Sequence, residues 1–181
     1  MRSDPVLIGP CGVGKSTVSG LLAVSLNVGV ISMDEICFDY YAEIGYDAEH
    51  AEQLQTTGGF RAKYEYWKPF EAHAVERAVA NYCNCVFDFG GGHSVYEDPG
   101  LFCRVQRVLS GFRFVVLLLP FPDVGASVAF LRKRLRMPPK ADDINDHFVR
   151  HPSNQRLATH IVYTGARSAI KVCEEVLGIV A

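Results

Sequence analysis

The sequence predicts an α/β fold, a five-stranded parallel sheet with helices on both faces. Three observations predict it. Short apolar runs rich in β-formers alternate with helical patterns along the 181 residues, as buried parallel strands and their crossovers do. The first run, Val6-Leu7-Ile8, leads into Gly9-Pro10-Cys11-Gly12-Val13-Gly14-Lys15-Ser16, which meets the pattern G-x-x-x-x-G-K-[ST] at every fixed position. Acidic and glycine-rich segments follow the later runs, where ligands bind in open α/β sheets.

In chain order, the expected strands are Val6–Ile8, Val28–Ser32, Cys85–Phe89, Phe114–Leu119 and His160–Tyr163. Each is short, apolar and bounded by polar or glycine residues. The expected helices are Lys15–Leu26, Asp34–Ile44, Ala48–Leu54, Phe60–Tyr82, Pro99–Leu109, Val124–Arg136 and Ala166–Leu177, with Gly178 as a C-cap glycine. The segment Met137 to Asn145, with Pro138 and Pro139, reads as a loop. No repeat or low-complexity linker divides the chain, so residues 1–181 are expected to form a single domain.

Bulk properties exclude several classes. Apolar residues make up 49%, enough for a full core, and the formal net charge is −2. No basic surface for nucleic acid is implied. The six cysteines form no C-x-x-C pair and no zinc spacing with histidine. The longest apolar stretch, Phe114 to Phe121, is too short to span a bilayer. No secretory signal is expected ahead of the first strand, so the expectation is a cytoplasmic monomer with reduced thiols and no membrane partner.

The glycine loop carries the clearest chemistry. Gly9, Gly12 and Gly14 let the backbone turn its N–H groups inward, and the following helix adds the positive end of its dipole. A polyphosphate is favoured there, with Val13 and Thr17 flanking the contact residues. Lys15 reaches the β- and γ-phosphates of a nucleotide, and Ser16 offers a hydroxyl to Mg²⁺. ATP and Mg²⁺ are thus the expected cofactors.

Residues after the other strands admit more than one role. Asp34 is either a helix N-cap or the group that accepts a proton from an acceptor hydroxyl. Asp88 ends a strand beside the glycine loop, as a carboxylate holding Mg²⁺ through water does. Gly90-Gly91-Gly92 suits close approach of a ligand to backbone, or a flexible turn. His93 reads as a loop residue. Arg61 and Arg150 are unremarkable taken singly. Arg132, Lys133, Arg134 and Arg136 end a helix, as a solvated terminus or as part of a lid that brings an arginine onto phosphate.

Taken together these residues resemble shikimate kinase, in the nucleoside-monophosphate-kinase-like branch of P-loop NTPases. The resemblance runs over nearly the whole chain and implies the strand order 2-3-1-4-5. Gly9–Ser16 looks like the family's ATP loop. Asp34 falls where the second Asp of its D-x-D motif binds and deprotonates the substrate hydroxyl. Gly59-Phe60-Arg61 looks like its G-F-R, and Arg150-His151-Pro152 is similar to its R-N-P, so Arg61 and Arg150 are the implied carboxylate clamps. Gly90–Gly92 looks like its substrate loop. The implied reaction is transfer of the γ-phosphoryl group of ATP to a hydroxyl of shikimate or a similar small carboxylate. A lid around 132–150 is implied, its catalytic arginine being one of Arg132, Arg134 and Arg136, of which Arg136 is the choice. Ser32 stands where the family has the first Asp of D-x-D, Tyr64 where it has a glutamate, and no R-P-L-L lid motif is present. A kinase of another metabolite (nucleoside, sugar acid or antibiotic) and a non-catalytic ATP-binding regulator are the alternatives.

Overall fold

Strands of the computed structural model, which describes residues 1–136 and 143–181, join in one parallel sheet of order β2-β3-β1-β4-β5. They are β1 (Val6–Ile8), β2 (Gly29–Ser32), β3 (Cys85–Asp88), β4 (Val115–Leu119) and β5 (His160–Tyr163). Among the described residues the helices are α1 (Lys15–Leu26), α2 (Met33–Glu43), α3 (Ala48–Asn81), α4 (Pro99–Leu109), α5 (Val124–Arg134), α6 (Ile144–Arg150), α7 (Ser153–Leu157) and α8 (Ala169–Val180).

The two-residue period of the strands splits the core into two layers. Val6, Ile8, Phe87, Val115 and Leu117 face α2, α3, α4 and α7. Leu7, Val86, Val116 and Leu118 face α1, α5 and α8. α4 shows the helical counterpart: Phe102, Val105 and Leu109 are its buried face. No strand residue of β1, β3 or β4 is exposed, which is why these runs are apolar on both faces.

Several boundaries differ from expectation, each for a local reason. Val28 is not in β2: its N–H donates to Ala23 O and Asn27 is left-handed, so the pair closes α1. α2 begins at Met33 with Ser32 at the N-cap position, so Asp34 is inside the helix and not its cap. The two expected helices of residues 48–82 run on as α3, interrupted only at Gly59, where φ is 70°. α8 starts late because the Ser168 side chain caps it, accepting from Lys171 N, and Gly178 therefore lies inside the helix instead of ending it. The segment before β5 is helical. Asp143 caps α6 by accepting from Asn145 N, and α7 follows after Pro152. Of the lid expected over 132–150, residues 137–142 lie outside the described residues.

Candidate active site

The glycine loop joins β1 to α1 at the carboxyl end of the sheet, between the two central strands' neighbours. Gly9 (φ 138°) sits against the backbone carbonyl of Leu118, where a Cβ would overlap it. Gly14 (φ 109°) occupies the N-cap position of α1 and supplies no side-chain cap. The first N–H groups of α1 are therefore left for a ligand, and the helix dipole favours an anion. Lys15 is buried, and its Nζ donates to Gly9 O at 2.9 Å and Pro10 O at 3.0 Å. Burial lowers its pKa, a cost that a bound anion would offset. Ser16 and Thr17 are exposed at the start of α1, whereas Val13 turns into the core.

β3 pairs with β2 so that Asp88 lies opposite Ser32, and with β1 so that Asp88 lies opposite Leu7. By strand parity Asp88 shares the face of Val86, the side covered by α1. Its Oδ1 is buried without a hydrogen-bond partner among the described residues. Burial raises its pKa, against the lowering effect of the Ser16 hydroxyl and of Lys15. An orphaned carboxylate oxygen beside the hydroxyl of the glycine loop is a donor set that fits Mg²⁺, a cation that keeps most of its coordination for water and phosphate. Among the described residues no cluster of three or more His, Cys, Asp or Glu is poised for a metal, consistent with so sparse a set.

The three glycines after β3 permit close approach by side chains of this chain. A Cβ on Gly90 would overlap the Asp34 carboxylate, one on Gly91 would stand 2.6 Å from Cys11 Sγ, and one on Gly92 would stand 2.5 Å from Glu71 Oε1. Their φ values lie outside the left-handed region, so space and not backbone conformation requires glycine here. The loop is pinned from α3. Lys68 is buried, pairs with Glu71, and donates to Gly92 O at 2.9 Å and Val95 O at 3.0 Å. Its ammonium lies 4.1 Å from the centre of the Tyr64 ring and 5.1 Å from that of Tyr96. Neither Lys68 nor Glu71 figured among the expected site residues, although their i,i+3 spacing on a helix was readable.

Arg61 and Arg150 come together. Both line a cavity of about 270 Å³ with Tyr64, Glu97, Asp146 and His147. Each is also paired within its own helix: Arg61 Nε with Glu65 at 3.0 Å, and Arg150 Nε with Asp146 at 2.8 Å. The cavity wall does not include Asp34 or Gly90–Gly92. On the far wall Glu97 accepts from Tyr64 and meets His147. Burial alone would raise the Glu97 pKa, but the bonds from His147 and Tyr64 outweigh it and hold it at about 2.

α6 ties the cavity to the glycine loop, because Cys11 N donates to the buried Asn145 side chain at 2.9 Å. Of the basic run, Arg132 is committed to structure: its Nε donates to Asp143 Oδ2 at 2.6 Å, joining α5 to the cap of α6. Arg134 and Arg136 are exposed, and Arg136 is left-handed (φ 53°) just past α5.

Sheet order, glycine loop and helix placement define a P-loop NTPase of the kinase type. The chain resembles shikimate kinase. It is 27% identical to the "Shikimate kinase" of Corynebacterium efficiens, over 97% of this chain and 95% of that protein. Among solved structures, shikimate kinase from Acinetobacter baumannii, in complex with shikimate, matches with TM-score 0.63 at 15% identity, covering 99% of this chain and 93% of that one. A gluconokinase from Sinorhizobium meliloti 1021 matches with TM-score 0.56 at 15% identity, covering 99% and 93%. At such identities the structures show the fold alone; with the curated relative they support a small-molecule kinase. No protein-family model matches the chain. No helix among the described residues is long and apolar enough to cross a membrane.

Proposed function

We propose that this chain transfers the γ-phosphoryl group of ATP to a hydroxyl of shikimate or a similar small hydroxylated carboxylate, acting as a single-domain, monomeric cytoplasmic enzyme. The observation that carries the reading is the convergence of two arginines on one cavity, tied through α6 to a complete phosphate loop.

Roles follow from position. Gly9, Gly12, Val13, Gly14, Lys15, Ser16 and Thr17 hold the polyphosphate through backbone N–H groups and the Lys15 ammonium. Ser16 and Asp88 would hold Mg²⁺, which supplies charge neutralisation on the phosphates. The register partnership of Ser32 with Asp88 supports the view that the carboxylate missing at position 32 is provided from the adjacent strand. Asp34 orients the acceptor hydroxyl and takes its proton, for it is free of capping duty. Arg61 and Arg150 exchange their intrahelical carboxylates for the acceptor's, as bidentate forks. Gly90–Gly92 leave room for Asp34, Cys11 and Glu71 beside the loop. Residues 132–150 act as the lid, with Arg136 stabilising the transferring group, since Arg132 is held by Asp143.

A second reading, a kinase of a metabolite without a carboxylate, draws on Glu65 and Asp146 already pairing the two arginines. Release of ADP with a panel of hydroxylated acids, shikimate included, and of neutral polyols, nucleosides and aminoglycosides separates the readings. Turnover confined to acids is expected; turnover confined to neutral or cationic acceptors overturns the carboxylate clamp. ATP binding with no turnover on any acceptor would favour a regulator.

A further inference from the structure

His93 closes the triple-glycine segment and belongs to none of the roles above. It is 4% exposed, yet neither ring nitrogen has a hydrogen-bond partner among the described residues. A buried polar group left unpaired is costly, so such a side chain points to a partner that arrives later. Its ring packs edge-on toward Phe89, 6.4 Å between centroids, and its Nδ1 stands 3.9 Å from Asp34 Oδ1. That distance is too long for a hydrogen bond, but catalytic bonds commonly tighten only when substrate binds. Gly90 makes the approach possible: a Cβ there would overlap Asp34 Oδ1 and stand 2.7 Å from His93 Nδ1.

We propose that His93 is a positioning residue for Asp34, an inference that rests on the kinase reading above. A carboxylate only accepts hydrogen bonds, so the neutral tautomer with its proton on Nδ1 is the one that serves. Burial lowers the His93 pKa and favours the neutral ring, while Glu71 and Asp34 oppose this and Lys68 and Lys15 reinforce it. The Asp34 side chain is 73% exposed and, among the described residues, has no other hydrogen-bond partner to choose its orientation. The Nδ1–H of His93 holds one carboxylate oxygen and turns the other toward the acceptor. In the transfer step the acceptor oxygen forms its bond to the γ-phosphorus, the bond from that phosphorus to the β–γ bridging oxygen breaks, and the hydroxyl proton passes to Asp34. His93 keeps its own proton throughout.

The test is a double-mutant cycle with an activity-independent partner. His93→Phe keeps the ring packing and removes the donor; His93→Asn keeps a donor near Nδ1 and cannot titrate. We expect His93→Phe to lower kcat about ten- to a hundredfold, with the KM for ATP unchanged, and His93→Asn to restore most of it. In the Asp34→Asn background His93→Phe should cost nothing further. Equal losses in both backgrounds, or no rescue by Asn, would overturn the proposal. Independently, ¹⁵N NMR of the imidazole should show the His93 titration midpoint falling by about one unit or more in Asp34→Asn. An unchanged midpoint would overturn the pairing. The NMR comparison needs neither turnover nor a folded His93 variant, so it decides the pairing even if no acceptor is found and the kinase reading fails.

Discussion

The glycine-loop end and the two-arginine cavity are built from different material. The first is backbone: left-handed glycines, the uncapped start of α1 and one buried lysine, anchored on the central strand β1 and packed against β4. The second is side chain: exposed arginines on α3 and α6, each satisfied by a carboxylate one helical turn away. Backbone geometry is fixed by a few glycines and is read from a motif. Side-chain geometry depends on where helices land. The glycine-loop end is therefore more tightly constrained than the cavity.

The largest expected effect falls in the backbone-built half. Lys15→Ala should reduce phosphoryl transfer by about a thousandfold, the upper range for a preorganised electrostatic contact. Among the described residues its ammonium bonds only to the loop carbonyls of Gly9 and Pro10, so the fold should survive. Thermal unfolding without nucleotide should match the parent, and only the parent should gain stability from Mg·ATP. Equal stabilisation of both proteins would break the contrast at its firmer end.

Asp34 stands beside Gly90 and His93, apart from the wall of the two-arginine cavity. Asp34→Asn should lower kcat by about a hundredfold, the low end for a positioned base, with little change in the KM for ATP. Steady-state kinetics with the acceptor decides. A loss under about tenfold, roughly 1.4 kcal/mol, would leave Asp34 without a catalytic part, and capping is no longer available as its role.

The side-chain half predicts smaller and more selective losses. Arg61→Lys and Arg150→Lys keep the charge and lose the fork. Each should cost about ten- to a hundredfold in kcat/KM for a carboxylate acceptor, through its KM, and leave the KM for ATP alone. The arginine side chains are 75% and 57% exposed, so their surface ion pairs contribute little to stability and melting should not move. A normal KM for the acceptor in both variants would show that the cavity reads something other than a carboxylate.

How much of this was legible in the sequence follows the same division. The loop Gly9–Ser16 and all five strands were readable, because buried strands must be apolar on both faces and the motif fixes its own geometry. The strand order followed from the resemblance. The region from Asp143 to Leu157 was not read as helix. α6 and α7 are only seven and five residues long, and Pro138 and Pro139 draw attention to a loop. The cap was visible: Asp143 precedes Ile144 and Phe148, an i,i+4 apolar pair. Missing α6 hid Asn145 and His147. The burial of Lys68, Glu71 and His93 was not legible at all, because charged and imidazole side chains are placed inside by tertiary packing and not by local pattern.

The smallest effect is the most discriminating for Asp88, the acidic group that burial strains in the backbone-built half. Its folded-state pKa is raised above the unfolded value, so the folded chain holds the proton more tightly than the unfolded chain does. Ionising it at neutral pH therefore costs stability, and that cost disappears as the pH falls below the unfolded value. Asp88→Asn removes the cost. Without nucleotide the variant should melt higher than the parent at pH 7, and the advantage should shrink on acidification. The same variant should need more Mg²⁺ for half-maximal activity. The two results together mark a group retained for a ligand at the expense of the empty fold. If the variant melts lower at pH 7 and its Mg²⁺ dependence is unchanged, Asp88 is a structural acid held by Ser16, and the carboxylate missing at position 32 has no replacement on β3.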